Sequence, residues 1–272
     1  MTIPWAIAIS ASAAACAVAL LLAIRRLAPK EGFWGDREPN HSGGAIGVLG
    51  SGFAILVAFV LSLAFGGFQA ARHGAQQEAE GVEQMYQDAG LLPTAVRDPV
   101  RGLVACYALA VARTDWGTNG DVAQAWPVAI AKLEQRADQG RPADVRALDE
   151  LDAGERDRVE GYVAREENAT PPVPAILWIA MIAGGVLLVG YLCAFARPRT
   201  RILLQVYIVA AVAAVGALNL CVIRFLDTPF SGSSGSVRPT AMEYALTHFD
   251  ITSAALPCDA RGRPRSGATG PS

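Results

Sequence analysis

Hydrophobic and polar positions fall in long blocks along this chain. Four apolar runs, 3–24, 44–67, 173–196 and 202–225, stand between polar stretches. Each holds 22 to 24 residues, enough to cross a hydrocarbon core of about 30 Å at about 1.5 Å per helical residue. Backbone in lipid must pair its own polar groups, so the runs predict helices. A membrane barrel would show shorter, alternating segments. The first run is too long for the apolar part of a signal peptide, and its basic residues, Arg25 and Arg26, follow it rather than precede it. It is expected to be a retained span.

The polar stretch 68–172 has helical periodicity from its start. Ala71, Ala75, Ala79, Val82, Tyr86 and Ala89 recur at spacings of three and four, which puts them on one face. No proline interrupts 44–92, so the second span is expected to run on as one long helix until Pro93. Gly74 and Gly81 each weaken such a helix by about 1 kcal/mol relative to alanine. Further helices are predicted over 99–115, with Asp98 as cap, over 121–139 and over 143–167. The insert holds 18 acids and 11 bases, which reads as a solvated acidic surface. The tail beyond 238, ending in CDARGRPRSGATGPS, is expected to be partly disordered. The fold class is therefore all-α. It divides into a first helix pair (1–67), a helical extramembrane insert (68–172), a second helix pair (173–225), and a turn with a tail (226–272).

Composition narrows the function. The chain is 52% hydrophobic and 18% charged, with a net charge of −2, so no basic field points to nucleic acid. Five cysteines (16, 106, 193, 221 and 258) form no C-x-x-C pair, and three of them fall in apolar runs. They are expected to be core or lipid-facing thiols, with neither a zinc site nor a disulfide framework. The three histidines (41, 73 and 248) have no metal-binding spacing, and no phosphate-loop, dinucleotide or nucleophile-elbow motif occurs. The chain is expected to have no metal, no cofactor and no enzymatic activity.

The short loops give an orientation. Loop 25–43 carries Arg25, Arg26, Lys30 and Arg37, and RPRTR at 197–201 carries three arginines. The positive-inside rule places both in the cytoplasm, with insert and C-terminus outside a cell membrane that the chain crosses four times.

Within the second span, Gly50, Ala54, Ala58, Ser62 and Gly66 recur every four residues. Such a stripe lets helices approach closely, so it is read as the packing face. Phe53, Val57, Val60, Leu61 and Ala64 are then the candidate pore-lining set, an apolar constriction in an oligomer. No carboxylate or lysine lies inside a span to serve a proton relay.

After the fourth span stands LDTPFSG (226–232). Together with GAIGVLGSGFAILVAFVLSLAFGGFQAARHGAQQEAEGVEQMY (44–86) and the helical insert, it makes the chain resemble the bacterial bestrophin-like family. Asp227, Pro229, Phe230 and Gly232 match the acid, proline, phenylalanine, glycine signature of bestrophin channels, with Ser231 intervening. The acidic calcium-binding run of animal bestrophins is missing, so calcium gating is not implied. The resemblance implies an oligomeric channel for small anions lined by the second span. It also implies a cytosolic insert, against the arginine count. The alternatives are a non-conducting scaffold or sensor whose insert binds a protein partner, and a secondary transporter. The expected partners are the lipid bilayer and further copies of the chain. Asp227, an acid at the negative end of a helix dipole, needs a partner, and Arg72 or another base of the insert is the expected one.

Overall fold

The computed structural model describes residues 3–27, 39–117, 121–137, 142–194, 201–250 and 256–265. The elements are α1 (Ile3–Leu27), α2 (Pro39–Asp88), α3 (Thr94–Arg113), α4 (Asp121–Ala137), α5 (Pro142–Glu167), α6 (Ala175–Ala194), α7 (Ile202–Leu226) and α8 (Thr240–His248). A single 3-10 turn, Ala89–Leu91, closes α2 before Pro93. No strand occurs among the described residues beyond one isolated bridge, Cys258 to Pro264. The long second helix is continuous, as the lack of proline predicts. α3 starts five residues before the predicted position and holds Pro99 inside its second turn, with Pro93 rather than Asp98 at the N-cap. The end predicted at 139 for the third insert helix lies outside the described residues.

The chain forms two compact units. The membrane unit comprises Met1–Gly67 and Pro171–Thr228, and the helical unit comprises Phe68–Thr170 and Pro229–Ser272.

In the membrane unit, α1 packs along α7, and α6 contacts both. Arg25, at the C-terminal end of α1, donates to the Gln205 side chain near the start of α7, so these two helices run antiparallel. One apolar cluster joins Ala17 and Leu21 of α1 to Cys193 of α6 and to Val209 and Ala213 of α7. A second joins Val57, Val60 and Ala64 of α2 to Val173, Met181 of α6 and Ile223 of α7. The four helices are each long and apolar enough to cross a membrane.

In the helical unit, the predicted inner face of α2 is buried from Ala71 to Ala89. It joins Val100, Leu103, Val104, Tyr107 and Val111 of α3, Trp126 and Ile130 of α4, and Leu151 of α5. Burying each large aliphatic side chain contributes about 1.5–3 kcal/mol. The crossing of α2 and α5 is closer than side-chain packing allows. A Cβ on Gly74 would lie 2.7 Å from the Arg165 backbone nitrogen, and one on Gly154 would lie 2.9 Å from Met85 Cγ. Cβ atoms on Gly81 and Gly161 would fall onto the backbones of Arg158 and Glu78. The four glycines stand seven apart on each helix, so they line up along one contact edge. What α2 loses in helix propensity at Gly74 and Gly81 is the condition for this contact.

One expectation is corrected. Cys106 and Cys258 form a disulfide across 152 residues, with Cα atoms 5.9 Å apart, and both are fully buried. The pairing escapes the sequence because single cysteines at that distance carry no spacing signal. Within the tail, Thr240–His248 is a helix and 256–265 is described, while 251–255 and 266–272 lie outside the described residues. The tail builds no core of its own; it caps the core around α3. Gly262, at φ +75°, presses against the Ala110 backbone, where any Cβ would collide. Trp126 Nε1 donates to the Gly262 carbonyl at 3.0 Å and Thr114 Oγ1 to the Arg261 carbonyl at 2.7 Å. The Asp259 carboxylate accepts the backbone N–H groups of Arg261 and Arg263 at 2.8 and 2.9 Å. The Arg263 and Arg261 amides hold its pKa below the usual carboxylate range.

Two measurements check this packing. Alkylation of unfolded, unreduced protein is expected to modify three cysteines, Cys16, Cys193 and Cys221, and all five only after reduction. In detergent, Gly161→Ala is expected to lower the unfolding midpoint, at a cost of about 1–3 kcal/mol for forcing the helices apart. Gly216→Ala, with nothing within 4 Å of its Cβ, is expected to raise it by up to about 1 kcal/mol. Equal effects of the two substitutions would contradict the close crossing.

Candidate functional site

The candidate lining set and the candidate packing stripe lie on adjoining faces of α2, since Gly50 and Val57, and Ala54 and Leu61, stand seven residues apart. Val57, Val60 and Ala64 are buried inside the chain, and Phe53 and Leu61 pack against the same cluster. Phe53 lies against Gly184 and Gly185 of α6, 3.1 Å from an added Cβ at Gly184. These five residues hold α2 to α6 and α7, so the bulky face is the packing face within one chain. Ala54, Ala58, Ser62 and Gly66 are exposed, and Gly50 is half-buried with open space around its Cα. Periodicity separates a bulky set from a small-residue set. It could not say which of them the other spans of the same chain would cover, because both are apolar.

The spans remain largely uncovered. Between 11% and 22% of the most apolar window of each is buried, so most of their surface is left for lipid or for other copies.

The turn after α7 divides its work between the units. In the membrane unit, Asp227 is buried, and its Oδ1 accepts the Val173 backbone N–H at 3.0 Å. Val173 is the residue that leads into α6, so this bond ties the end of the fourth span to the start of the third. Arg224 stands 3.9 Å from Asp227 Oδ2. The acid does find the partner its position demands, but a backbone amide and a base one turn away take the place expected of Arg72. In the helical unit, Pro229 accepts the Val237 N–H at 2.8 Å, which closes the turn, with Gly232 and Gly235 at φ +70° and +89°. Phe230 meets the Trp116 ring edge-on at 5.5 Å. A Cβ on Gly117 would come within 2.8 Å of Phe230 Cβ.

Sequence reasoning missed a buried polar network in the helical unit. Glu78, on α2, is fully buried. Its carboxylate receives Arg165 Nε at 2.5 Å and the Tyr107 hydroxyl at 2.6 Å. Tyr107 in turn accepts Arg158 Nη1 at 2.9 Å, and Arg158 forks onto Glu155 at 2.6 Å. The set balances two carboxylates against two guanidiniums. Burial, and then the negative charge of Glu78, push the Tyr107 hydroxyl pKa well above its ordinary value, so it stays a proton donor. Burial lowers the Arg158 pKa, but Glu155 and Tyr107 outweigh it and keep the guanidinium charged. Arg165 lies over the rings of Tyr162 at 5.5 Å and Trp116 at 5.6 Å. The only signal in the sequence was that Glu78 sits on the apolar side of an amphipathic helix. Among the described residues, no group of three or more His, Cys, Asp or Glu side chains could hold a metal ion.

A family model, the Bestrophin-like domain, matches residues 11–242. No curated protein matches the chain in sequence. The crystal structure of another membrane protein shares its fold, with a TM-score of 0.57 at 12% identity, covering 89% of this chain and 96% of that one. With four apolar helices and a matching model over most of its length, the chain is an integral membrane protein of the bestrophin-like family.

Proposed function

We propose that the chain assembles into an oligomeric channel for small anions, with the second span at the centre of the assembly. The observation that carries this reading is the free face of α2. Gly50, Ala54, Ala58, Ser62 and Gly66 form an uncovered small-residue strip on the one span that continues into the helical unit. The adjoining bulky face is already occupied by α6 and α7. In lipid, close packing drives helix association, and small residues allow it. The strip therefore faces neighbouring copies or the axis between them. Its one polar group, the Ser62 hydroxyl, offers a hydrogen-bond donor to a passing anion. Membership of the bestrophin-like family supports the same reading.

The helical unit and the C-terminus lie on the non-cytoplasmic side in this proposal. Two independent features support that orientation. The buried Cys106–Cys258 disulfide suits an oxidising compartment. The arginine-rich short loops belong in the cytoplasm.

Planar bilayers test conduction. The wild type is expected to give stepwise anion currents. Ala58→Trp, on the free face, is expected to abolish them while the chain keeps its unfolding midpoint. Val57→Ala is expected to leave the unit current unchanged and to destabilise the chain by about 2 kcal/mol, because it opens a void in an internal contact. Folded oligomers that stay silent in every salt would refute the channel. For orientation, a single cysteine at Glu150→Cys is expected to react with an impermeant maleimide on intact cells, and one at Arg201→Cys only after lysis. The reverse pattern would place the helical unit in the cytoplasm.

A further inference from the structure

Counted along α2, the first charged residue past the apolar run is Arg72. It lines a cavity of about 270 Å³ within the helical unit, with Gln76 of the same helix and Ser236, Arg238 and Thr240 from the segment leading into α8. The volume is close to the lower end of small-molecule pockets, about 300 Å³. The lining holds two guanidinium groups and no carboxylate, although the insert carries 18 acids and 11 bases. An acidic solvated surface does not account for such a local inversion of charge.

Both guanidiniums are available to a ligand. The ion pairs among the described residues engage Arg113, Arg158, Arg165, Arg224 and His248, and neither Arg72 nor Arg238 is among them. α8 starts on the cavity wall at Thr240, its N-cap is Pro239, and no side chain caps it. The first-turn N–H groups of Thr240 and Ala241 therefore present the positive end of the helix dipole beside the two arginines. Two arginines, the uncapped start of α8 and a threonine around one small cavity are a donor set suited to a tetrahedral oxyanion.

Position along the helix narrows the source. Arg72 lies five residues beyond Gly67, about 7–8 Å at 1.5 Å per residue. The headgroup zone extends about 5–8 Å past the hydrocarbon on each side of a bilayer. Counted along α2 alone, Arg72 therefore follows the apolar run by no more than the thickness of a headgroup zone. We propose that this cavity binds a phosphate oxyanion, carried by an anionic lipid headgroup or free in solution, through Arg72 and Arg238. The site would work whether or not the chain conducts.

The test uses full-length protein in detergent, titrated separately with inorganic phosphate and with short-chain phosphatidylglycerol. Binding is followed by native mass spectrometry and by the unfolding midpoint. At least one probe is expected to bind saturably and raise the midpoint. Its affinity is expected to fall at least tenfold in R72Q/R238Q and to stay unchanged in R261Q, an exposed arginine outside the cavity. Binding of the lipid alone assigns the site to a headgroup, and binding of inorganic phosphate, with or without the lipid, assigns it to the phosphate group itself. No binding of either probe, or equal binding by R72Q/R238Q, overturns the proposal. Both arginines are exposed, so the variant keeps the fold; the single R238Q variant, expected to weaken binding in the same direction, repeats the test.

Discussion

Glu78 is a carboxylate buried where two helices touch backbone to backbone. The glycines at 74, 81, 154 and 161 bring α2 and α5 too close for water or intervening side chains to enter. A charge in such a place costs several kcal/mol unless it is paired and hydrogen-bonded. Arg165 supplies the pairing, and Tyr107, linked onward to Arg158, supplies the remaining hydrogen bond. The glycine contact and the ion pair depend on each other. Without the close approach, Arg165 could not reach across the crossing in this geometry, and without Arg165 the crossing would isolate an unpaired charge.

Other parts of the helical unit attach to this point. Arg165 lies over Trp116, Trp116 meets Phe230 edge-on, and the Trp116 indole N–H donates to the Val237 carbonyl at 3.1 Å. Phe230 thus sits one aromatic ring away from the buried pair. Tyr107 belongs to α3, whose neighbouring Cys106 holds the tail through its disulfide. In the membrane unit a different acid has a comparable task, since Asp227 binds the amide that leads into α6. One helix, α2, runs through both units. Its bulky face is committed inside the chain, and its small-residue face is left uncovered by the other helices.

Much of the architecture was legible. Four spans, the long second helix and the buried face from Ala71 to Ala89 follow from run length, the lack of proline and a period of 3.6, all local signals. Three features were not legible because they depend on distant partners. Gly74 and Gly81 look like defects until Gly154 and Gly161 are seen opposite them; only the shared seven-residue spacing hinted at it. Glu78, Arg158 and Arg165 look solvated in an acidic insert, because composition cannot distinguish a paired charge from a wet one. Cys106 and Cys258 are 152 residues apart and show no motif. For the candidate site, the sequence separates a bulky set from a small-residue set on α2, but which of them the chain itself covers depends on α6 and α7. The turn residues were found too, but their partners, a backbone amide for Asp227 and Trp116 for Phe230, have no sequence mark.

The dependence of the fold on the buried pair can be measured with a double-mutant cycle in detergent-solubilised protein, following thermal unfolding of Glu78→Gln, Arg165→Met and the combined variant. Removing one partner of a buried pair costs about 3–5 kcal/mol, whereas replacing both can be close to neutral. The account predicts a large loss of stability in Arg165→Met, which isolates the carboxylate, and substantial recovery when Glu78→Gln is added. Single variants that unfold like the wild type, or losses that simply add in the combined variant, would contradict it.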